Sequence, residues 1–523
     1  MFHYRCFECK KMSEEEIEKT AALFSAHYGI WSPMAEKVNP KHVGHVKISS
    51  NWIKNNIINK PDRYVAMAFD QDRLIGHAFF LKRKIKKGNY ITWILQLVVD
   101  KSYRGNDIGA NLMRSIWGLS DSWAWGLFTA NPSTIKALEN VTMRKVNVQA
   151  ISKHISEIRE VAYDIFDSLD WLNSYNNGIV NTEFPVDHSD IHEKIHKYYL
   201  EKEFSLPENL PEGHEWLAFV FAEQKPKATP DQLNKLLRFS KEVIQKAYAE
   251  MHMESHSWAS HTTEDADFLL SVFKNPSRIL DVGCGQGRLT NELASRKIET
   301  YGIDMVEENI QKAKSAGINK AHFSTTDARK MSFSRKFNSV TCLYDVIGSF
   351  PKEEDNLRIL EQIYKNMFWN GRLIISVMNM DLTRENCRKY GHVISGINKH
   401  IDKLLCLKGS DEMQKTGNVF NGRKILIDDR TGCCYRKEQF FNSDSLPIER
   451  VIVDRLYSIE GIKRLLNKVG FIVDISYCAR AGHLHEPLDR YDSHAKEIVI
   501  VARKKGIIYK KRHRNDDVGR CWH

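Results

Sequence analysis

RILDVGCGQGRL, residues 278–289, decides how this chain is read. Ile279, Leu280 and Val282 make a short apolar run that reads as a buried strand, and it leads straight into Gly283, Gly285 and Gly287. A strand that ends in spaced glycines and opens a helix lets backbone N–H groups approach a ligand that a Cβ would exclude. Such glycines also serve plain strand–helix packing, so the neighbouring sequence has to choose. ETYGID sets Asp304 at a strand end about 20 residues after the first glycine, where a βαβ unit holds ribose hydroxyls with an acid. STTDA then brings Asp327, and FNSVTCLYDV brings Tyr344 and Asp345. Ligands of open α/β sheets bind beyond the carboxyl ends of the strands, so these acids and the glycines are expected to share one cleft. The chain has no G-x-G-x-x-G here and no basic residue close to Asp304, which points to a nucleoside without phosphates.

On LDVGCGQG, YGIDM and TTDA, in that order and spacing, the region from about residue 260 to 505 resembles the class I S-adenosylmethionine-dependent methyltransferases. VIGSFPKEEDNLRIL, WNGRLIISVMN, DRLYSIEGIKRLLNKVGF and the closing strand KEIVIVARK resemble the small-molecule branch of that family. The resemblance implies a Rossmann-like domain with S-adenosylmethionine as cofactor. It implies a cofactor site of Asp281, Gly283, Cys284, Gly285, Gly287, Asp304, Met305, Asp327, Ala328 and Leu343. In it the glycine loop approaches the methionine part, Asp304 holds the ribose, Met305 packs on the adenine and Asp327 bonds its amino group. Tyr344-Asp345-Val346-Ile347 stands where methyltransferases of exocyclic base amines carry an Asx/Ser-Pro-Pro-aromatic signature, which argues against that substrate class. Tyr344, Asp345 and His483 are the catalytic candidates on the acceptor side.

A second strand–turn–helix lies far upstream. YITWILQLVVD runs into KSYRGNDIGANLMRSIWG, a short glycine-bearing turn followed by a helix whose free N–H groups suit an anion. Before it, SEEEIEKTAALFSAHYG carries a capping box at Ser13 and Glu16, and YVAMAFD and LIGHAFFLKRK form a hairpin across DQDR. After it, WAWGLFTA leads into NPSTIKALEN, where Asn131 caps a helix. On LVVDKSYRGNDIGANLM and TANPSTIKALE, residues 13 to 150 resemble the GNAT superfamily of acyl-coenzyme A-dependent N-acyltransferases, with a closing strand at Glu215 to Glu223. The resemblance implies acetyl-CoA or another acyl-CoA as second cofactor. It places Leu97, Val98 and Val99 along the pantetheine arm, Arg104, Gly105, Asn106, Asp107, Ile108, Gly109 and Ala110 around the pyrophosphate, and Asn131 at the thiol end. Three positions depart from the family: Asp107 for a loop glycine, Gln96 for a general-base glutamate, and Leu138 for a thiolate-protonating tyrosine. Active acyltransferase, cofactor-binding domain and unrelated α/β domain stay open as readings of this region.

The 523 residues suffice for two to four domains. Lysines and arginines number 77 against 66 acids, a net charge of +11 that permits a polyanionic partner without requiring one. Ten unevenly spaced cysteines and the lack of a secretory pattern lead to an expectation of reduced thiols in the cytoplasm. No apolar run approaches the ~20 residues that span a bilayer, so no membrane partner is expected. Cys6 and Cys9 form a lone C-x-x-C, and His188, His192 and His196 recur at helical spacing; neither set brings four ligands, and no metal is expected.

The fold class expected is α/β: a GNAT-like mixed domain over 1–225, a helical linker over 226–262, a Rossmann-like methyltransferase domain over 263–505 with a β insertion, and a basic tail over 506–523. The insertion, Asn379 to Asp454, reads as an antiparallel hairpin with turns at Asn421–Gly422 and Thr431–Gly432, and by resemblance it builds the acceptor pocket. Trp258, Arg430, Tyr435 and Arg455 are the substrate-binding candidates. The function expected is a bifunctional transferase that methylates and acylates a small amine-bearing molecule. A nucleic-acid modifier using the basic tail and a methyltransferase with a non-catalytic sensor domain are the alternatives. Nothing in the sequence sets the oligomeric state.

Overall fold

The computed structural model describes residues 2–116, 122–163, 165, 173–187, 189–200, 205–237, 259–412, 420–441 and 447–505. Trp258, His188 and the basic tail lie outside them. The chain forms two compact units, one of residues 1–251, 390–430 and 434–452, the other of residues 252–389, 431–433 and 453–523.

The N-terminal unit is built on a seven-stranded sheet. Its strands are β1 Phe2–Glu8, β2 Arg63–Asp70, β3 Arg73–Lys84, β4 Tyr90–Val99, β5 Ala124–Thr129, β6 Ile179–Asn181 and β7 His214–Phe221, in the order β1-β2-β3-β4-β5-β7-β6. β1 to β4 pair antiparallel, β4 and β5 pair parallel, and β7 returns antiparallel to β5. Alternate residues of the strands bury on opposite faces: Val65, Met67 and Phe79 meet Ile17 and Phe24 of the helix Glu14–His27, while Ala66, Ala78 and Phe80 meet Leu112 and Leu138 of the helices Ile108–Ile116 and Pro132–Thr142. The capping box is present, with the Glu16 N–H donating to Ser13 Oγ at 3.2 Å and the Ser13 N–H to Glu16 Oε2 at 2.9 Å. β1 was not foreseen: Cys6 falls within its alternation of half-buried and exposed residues and Cys9 just beyond its end.

The C-terminal unit holds an eight-stranded sheet. Its strands are β8 Arg278–Val282, β9 Glu299–Asp304, β10 Ala321–Thr325, β11 Phe337–Cys342 and β12 Met367–Met378, and, beyond the insertion, β17 Phe471–Arg480, β18 His483–Leu488 and β19 Glu497–Lys504. The order is β10-β9-β8-β11-β12-β19-β17-β18; the first five run parallel and β19 is antiparallel to both its neighbours. Succession turns from one side of β8 to the other at β8/β11, the switch point where a ligand crevice opens.

The insertion forms a separate sheet of β13 Val393–Ile394, β14 Ile425–Asp428, β15 Cys433–Phe441 and β16 Pro447–Arg455. β14 and β15 are the antiparallel pair expected, turning at Gly432 with φ +72°. Most of the insertion belongs to the N-terminal unit. Arg450 donates to the carbonyl of Arg114 at 3.3 Å, and Lys225 lies 3.3 Å from Asp402. Lys437 is fully buried, with its ammonium donating to the Leu405 carbonyl at 2.9 Å and lying 3.6 Å from Glu449. Among the described residues no helix is long and apolar enough to cross a membrane.

Candidate functional site

Three glycines leave β8 in the left-handed region, with φ of +76° at Gly283, +54° at Gly285 and +85° at Gly287. They do different work. A Cβ at Gly283 would stand 2.2 Å from Val346 Cγ2 and one at Gly287 2.8 Å from Ala313 Cβ, whereas one at Gly285 would meet open space. Gly283 and Gly287 are therefore demanded by packing, and Gly285 leaves free the space a ligand needs. Asp304 closes the turn from the end of β9: its carboxylate accepts the Gly285 N–H at 3.0 Å and the Val306 N–H at 2.9 Å, and burial holds its proton affinity above the usual carboxylate range. Met305 beside it is exposed. Asp281 lies behind the turn, accepting the Thr290 hydroxyl at 2.6 Å, and burial pushes it up to about 6. This cradle fits an adenosyl group with a zwitterionic tail: open space over Gly285, the Asp304 carboxylate at the strand end, and an apolar neighbour in Met305.

The second turn follows β4. Pairing of β4 with β5 stops at Ile94 and Leu127, yet β4 runs on to Val99, so among the described residues no strand pairs with Leu97, Val98 and Val99 on that side. Gln96 pairs with Phe79 and Ile94 with Phe80, so Leu95 bulges out of the ladder between them. Gly105 has φ +85°, and Asp107 adopts φ +58°, the backbone a glycine would take. The Asp107 carbonyl accepts the Asn111 N–H at 2.8 Å and starts the helix, which leaves the N–H groups of Ile108, Gly109 and Ala110 without intrahelical acceptors. Arg104 is turned back, donating to the Val99 carbonyl at 3.2 Å and the His27 carbonyl at 2.6 Å. The Asp107 carboxylate lies 3.7 Å from the Lys235 ammonium. Asn106 donates to the Tyr103 carbonyl at 3.1 Å, and Asn131 caps its helix by accepting the Ser133 N–H at 2.9 Å.

The family model described as a methyltransferase domain matches residues 273–422, and that described as the acetyltransferase (GNAT) family matches residues 25–124. The chain joins a GNAT domain to a methyltransferase domain. No curated protein matches it. Solved structures similar in fold include the CcbJ methyltransferase from Streptomyces caelestis, 12% identical over 47% of this chain and 90% of that one, with a TM-score of 0.37. An S-adenosylmethionine-dependent methyltransferase from Clostridium acetobutylicum is 17% identical over 52% of this chain and 99% of that one, with a TM-score of 0.32. The glycopeptide N-methyltransferase MtfA is 14% identical over 47% and 87%, with a TM-score of 0.31.

In the methyltransferase domain, Tyr344 and Asp345 both take left-handed backbone, with φ of +55° and +69°, directly after β11. Two consecutive non-glycine residues there store backbone strain, which accumulates where function fixes the geometry. The Tyr344 N–H donates to Ser376 Oγ at 2.8 Å, and its hydroxyl to Asp265 Oδ2 at 2.5 Å. Arg288 donates to the same Asp265 oxygen at 3.0 Å and to Thr262 Oγ1 at 2.9 Å, with its guanidinium 5.2 Å from the centre of the Tyr344 ring. His483 lies against His261, with ring centres 4.0 Å apart and planes tilted by 47°. Asp327 is engaged by Arg329, whose Nε and Nη2 donate at 3.0 and 2.8 Å and hold the carboxyl below its usual range. Leu343 and Cys284 are buried, and burial raises the Cys284 thiol; Ala328 is half-buried.

The acceptor candidates divide between the two units. Arg430 and Tyr435 belong to the N-terminal unit, where Tyr435 is buried opposite Leu426. Arg455 belongs to the methyltransferase unit and donates to the carbonyls of Pro351 at 2.9 Å and Thr431 at 2.5 Å. In the GNAT domain Gln96 bonds His77, whose Nε2 lies 3.0 Å from Gln96 Oε1, and burial pushes His77 down to about 4. Leu138 is fully buried. Sequence reasoning missed Asp265, Arg288, Arg329 and Glu497. Arg288 stood inside the decisive stretch, and Glu497 is a lone acid opening an apolar strand, but only the fold carries Asp265 to them.

Proposed function

We propose that the C-terminal unit transfers the methyl group of S-adenosylmethionine to a small molecule and that the N-terminal unit transfers an acyl group from acyl-coenzyme A to an amine. One observation carries this reading: each unit has its own strand–turn–helix with left-handed turn residues, one with open space over Gly285, the other with N–H groups at Ile108, Gly109 and Ala110 that have no intrahelical acceptor. The methyl donor supplies its own activation as a sulfonium, so the protein mostly binds, orients and excludes water. Gly285 and Asp304 would hold the adenosyl and methionine parts, and Met305 would pack on the base. The unpaired edge of β4 from Leu97 to Val99 would receive the pantetheine arm, and the amides after Asp107 the pyrophosphate.

Gln96 and Leu138 favour a second reading of the N-terminal unit, as a coenzyme A sensor without turnover, because neither moves a proton. Incubating the full chain with small-molecule extract and both isotope-labelled cofactors tests the proposal. Products carrying a labelled methyl and a labelled acyl group are expected. Methyl label alone, with saturable acetyl-CoA binding, supports the sensor, and neither label in any product refutes both.

A further inference from the structure

We propose that the group to be methylated enters as an ammonium ion held by three converging carboxyls, Asp265, Asp345 and Glu497, with Glu497 accepting its proton. The inference rests on the reading of the C-terminal unit as an S-adenosylmethionine-dependent methyltransferase and adds the class of its acceptor.

Asp265 in the helix Thr262–Phe273 is fully buried, and Tyr344 and Arg288 both bond its Oδ2. Its Oδ1 is buried with no hydrogen-bond partner among the described residues. Glu497, the first residue of β19, is 4% exposed, and its Oε2 is likewise buried without a partner among them. Across the sheet it faces Met378 and Ala479, neither of which titrates. Its other hydrogen-bond partner is Ser376, the hydroxyl that accepts the Tyr344 N–H, so Glu497 stands behind the strained Tyr344–Asp345 turn. Burial first, then the charges of Asp345 and Asp265, hold a proton on it well above the usual carboxylate range. Arg288, 21% exposed, is the cation set against this group; His261 and His483 lie at the starts of the helix and of β18, their rings tilted against each other, with Glu264 3.8 Å from the first and Glu486 3.8 Å from the second.

Two needs follow. Buried carboxyl oxygens without donors are unfavourable, and even with a proton on Glu497, Asp265 and Asp345 set two carboxyls against one guanidinium. A hydroxyl would supply one donor and no charge. An ammonium supplies three donors and the missing positive charge. Because Glu497 holds a proton before the ammonium arrives, docking of the cation first displaces that proton to solvent; one N–H bond of the ammonium then breaks, an O–H bond re-forms at Glu497 Oε2, and a neutral amine and a neutral carboxyl remain. The high proton affinity of Glu497 suits it to that exchange.

Calorimetric titration of the full chain with S-adenosylhomocysteine, S-adenosylmethionine and sinefungin tests this. Sinefungin carries a primary amine where the donor carries its methyl group; the homocysteine compound has neither charge nor N–H there. Charge-assisted hydrogen bonds predict that sinefungin binds about tenfold or more tighter than either of the others. In Glu497→Gln, and separately in Asp345→Asn, that advantage is expected to shrink below about threefold while S-adenosylhomocysteine binds as before, which also shows that the variants fold. Sinefungin no tighter than S-adenosylmethionine, or an advantage unchanged in both variants, overturns the inference and leaves the donor site standing. Failure of all three to bind overturns the methyltransferase reading itself.

Discussion

Replacing Gly283 and Gly285 one at a time by alanine separates folding from cofactor binding in a single turn. At Gly283 the new methyl would lie 2.2 Å from Val346 Cγ2, more than 1 Å inside a normal carbon contact, on a backbone of φ +76°. Overpacking and the left-handed penalty together come to about 2–4 kcal/mol of lost stability. At Gly285 the methyl meets open space, so only the left-handed penalty at φ +54° remains, about 1–2 kcal/mol. That open space is where the donor is expected, and a methyl group there should weaken S-adenosylhomocysteine by about 10–100-fold. Urea unfolding and calorimetric titration on the same preparations read the two effects. A Gly285→Ala protein that binds S-adenosylhomocysteine as the wild type does would refute the assignment of the cradle.

Asp107→Gly removes a carboxylate and a side chain from φ +58°. It should change stability by less than about 1 kcal/mol, because relieved strain and added chain entropy oppose each other, and raise coenzyme A affinity about tenfold in titration; unchanged affinity would place the pyrophosphate elsewhere. Two buried groups of the N-terminal unit titrate against each other. His77, pushed down from 6.5 to about 4, makes the folded form bind fewer protons, so its contribution is complete above pH 6.5 and falls away towards pH 4, by roughly 3 kcal/mol. Glu215, pushed up from 4.5 to about 7 by burial, does the reverse: its contribution is complete below pH 4.5 and lost as the pH rises through 7, again by roughly 3 kcal/mol. Denaturant midpoints should therefore rise with pH between 4 and 6.5 in Glu215→Gln and fall between 4.5 and 7 in His77→Gln; parallel profiles would contradict both. Arg288→Met leaves Asp265 charged and buried without its cation and should lower stability by about 3 kcal/mol, largely recovered by adding Asp265→Asn; no recovery would mean the guanidinium acts through packing alone.

Both glycine-bearing turns were legible because the conformation is written into residue type. Spaced glycines after an apolar strand leave few backbone choices, and Asp304 and Asp327 follow at strand ends because the parallel sheet fixes the spacing. The insertion was legible as strands but not in its allegiance. Lys437, Glu449 and Arg450 read as surface charges in the sequence, yet all three are buried, and Arg450 bonds Arg114 some 336 residues earlier. The charged group behind Tyr344 was hidden for the same reason: Asp265, Arg288 and Glu497 come from one helix, the start of another and the last strand. Asp327 is read by resemblance as bonding the adenine amino group; that Arg329, two residues on, also folds back to it is something no periodicity announces.

Titrating the full chain with S-adenosylhomocysteine and then with coenzyme A, in the wild type and in Gly285→Ala, puts the two-cofactor account to its most direct test. The account predicts one saturable site for each compound, with only the first weakened by the substitution. Failure of either compound to bind the wild type, or loss of both in Gly285→Ala, would contradict it.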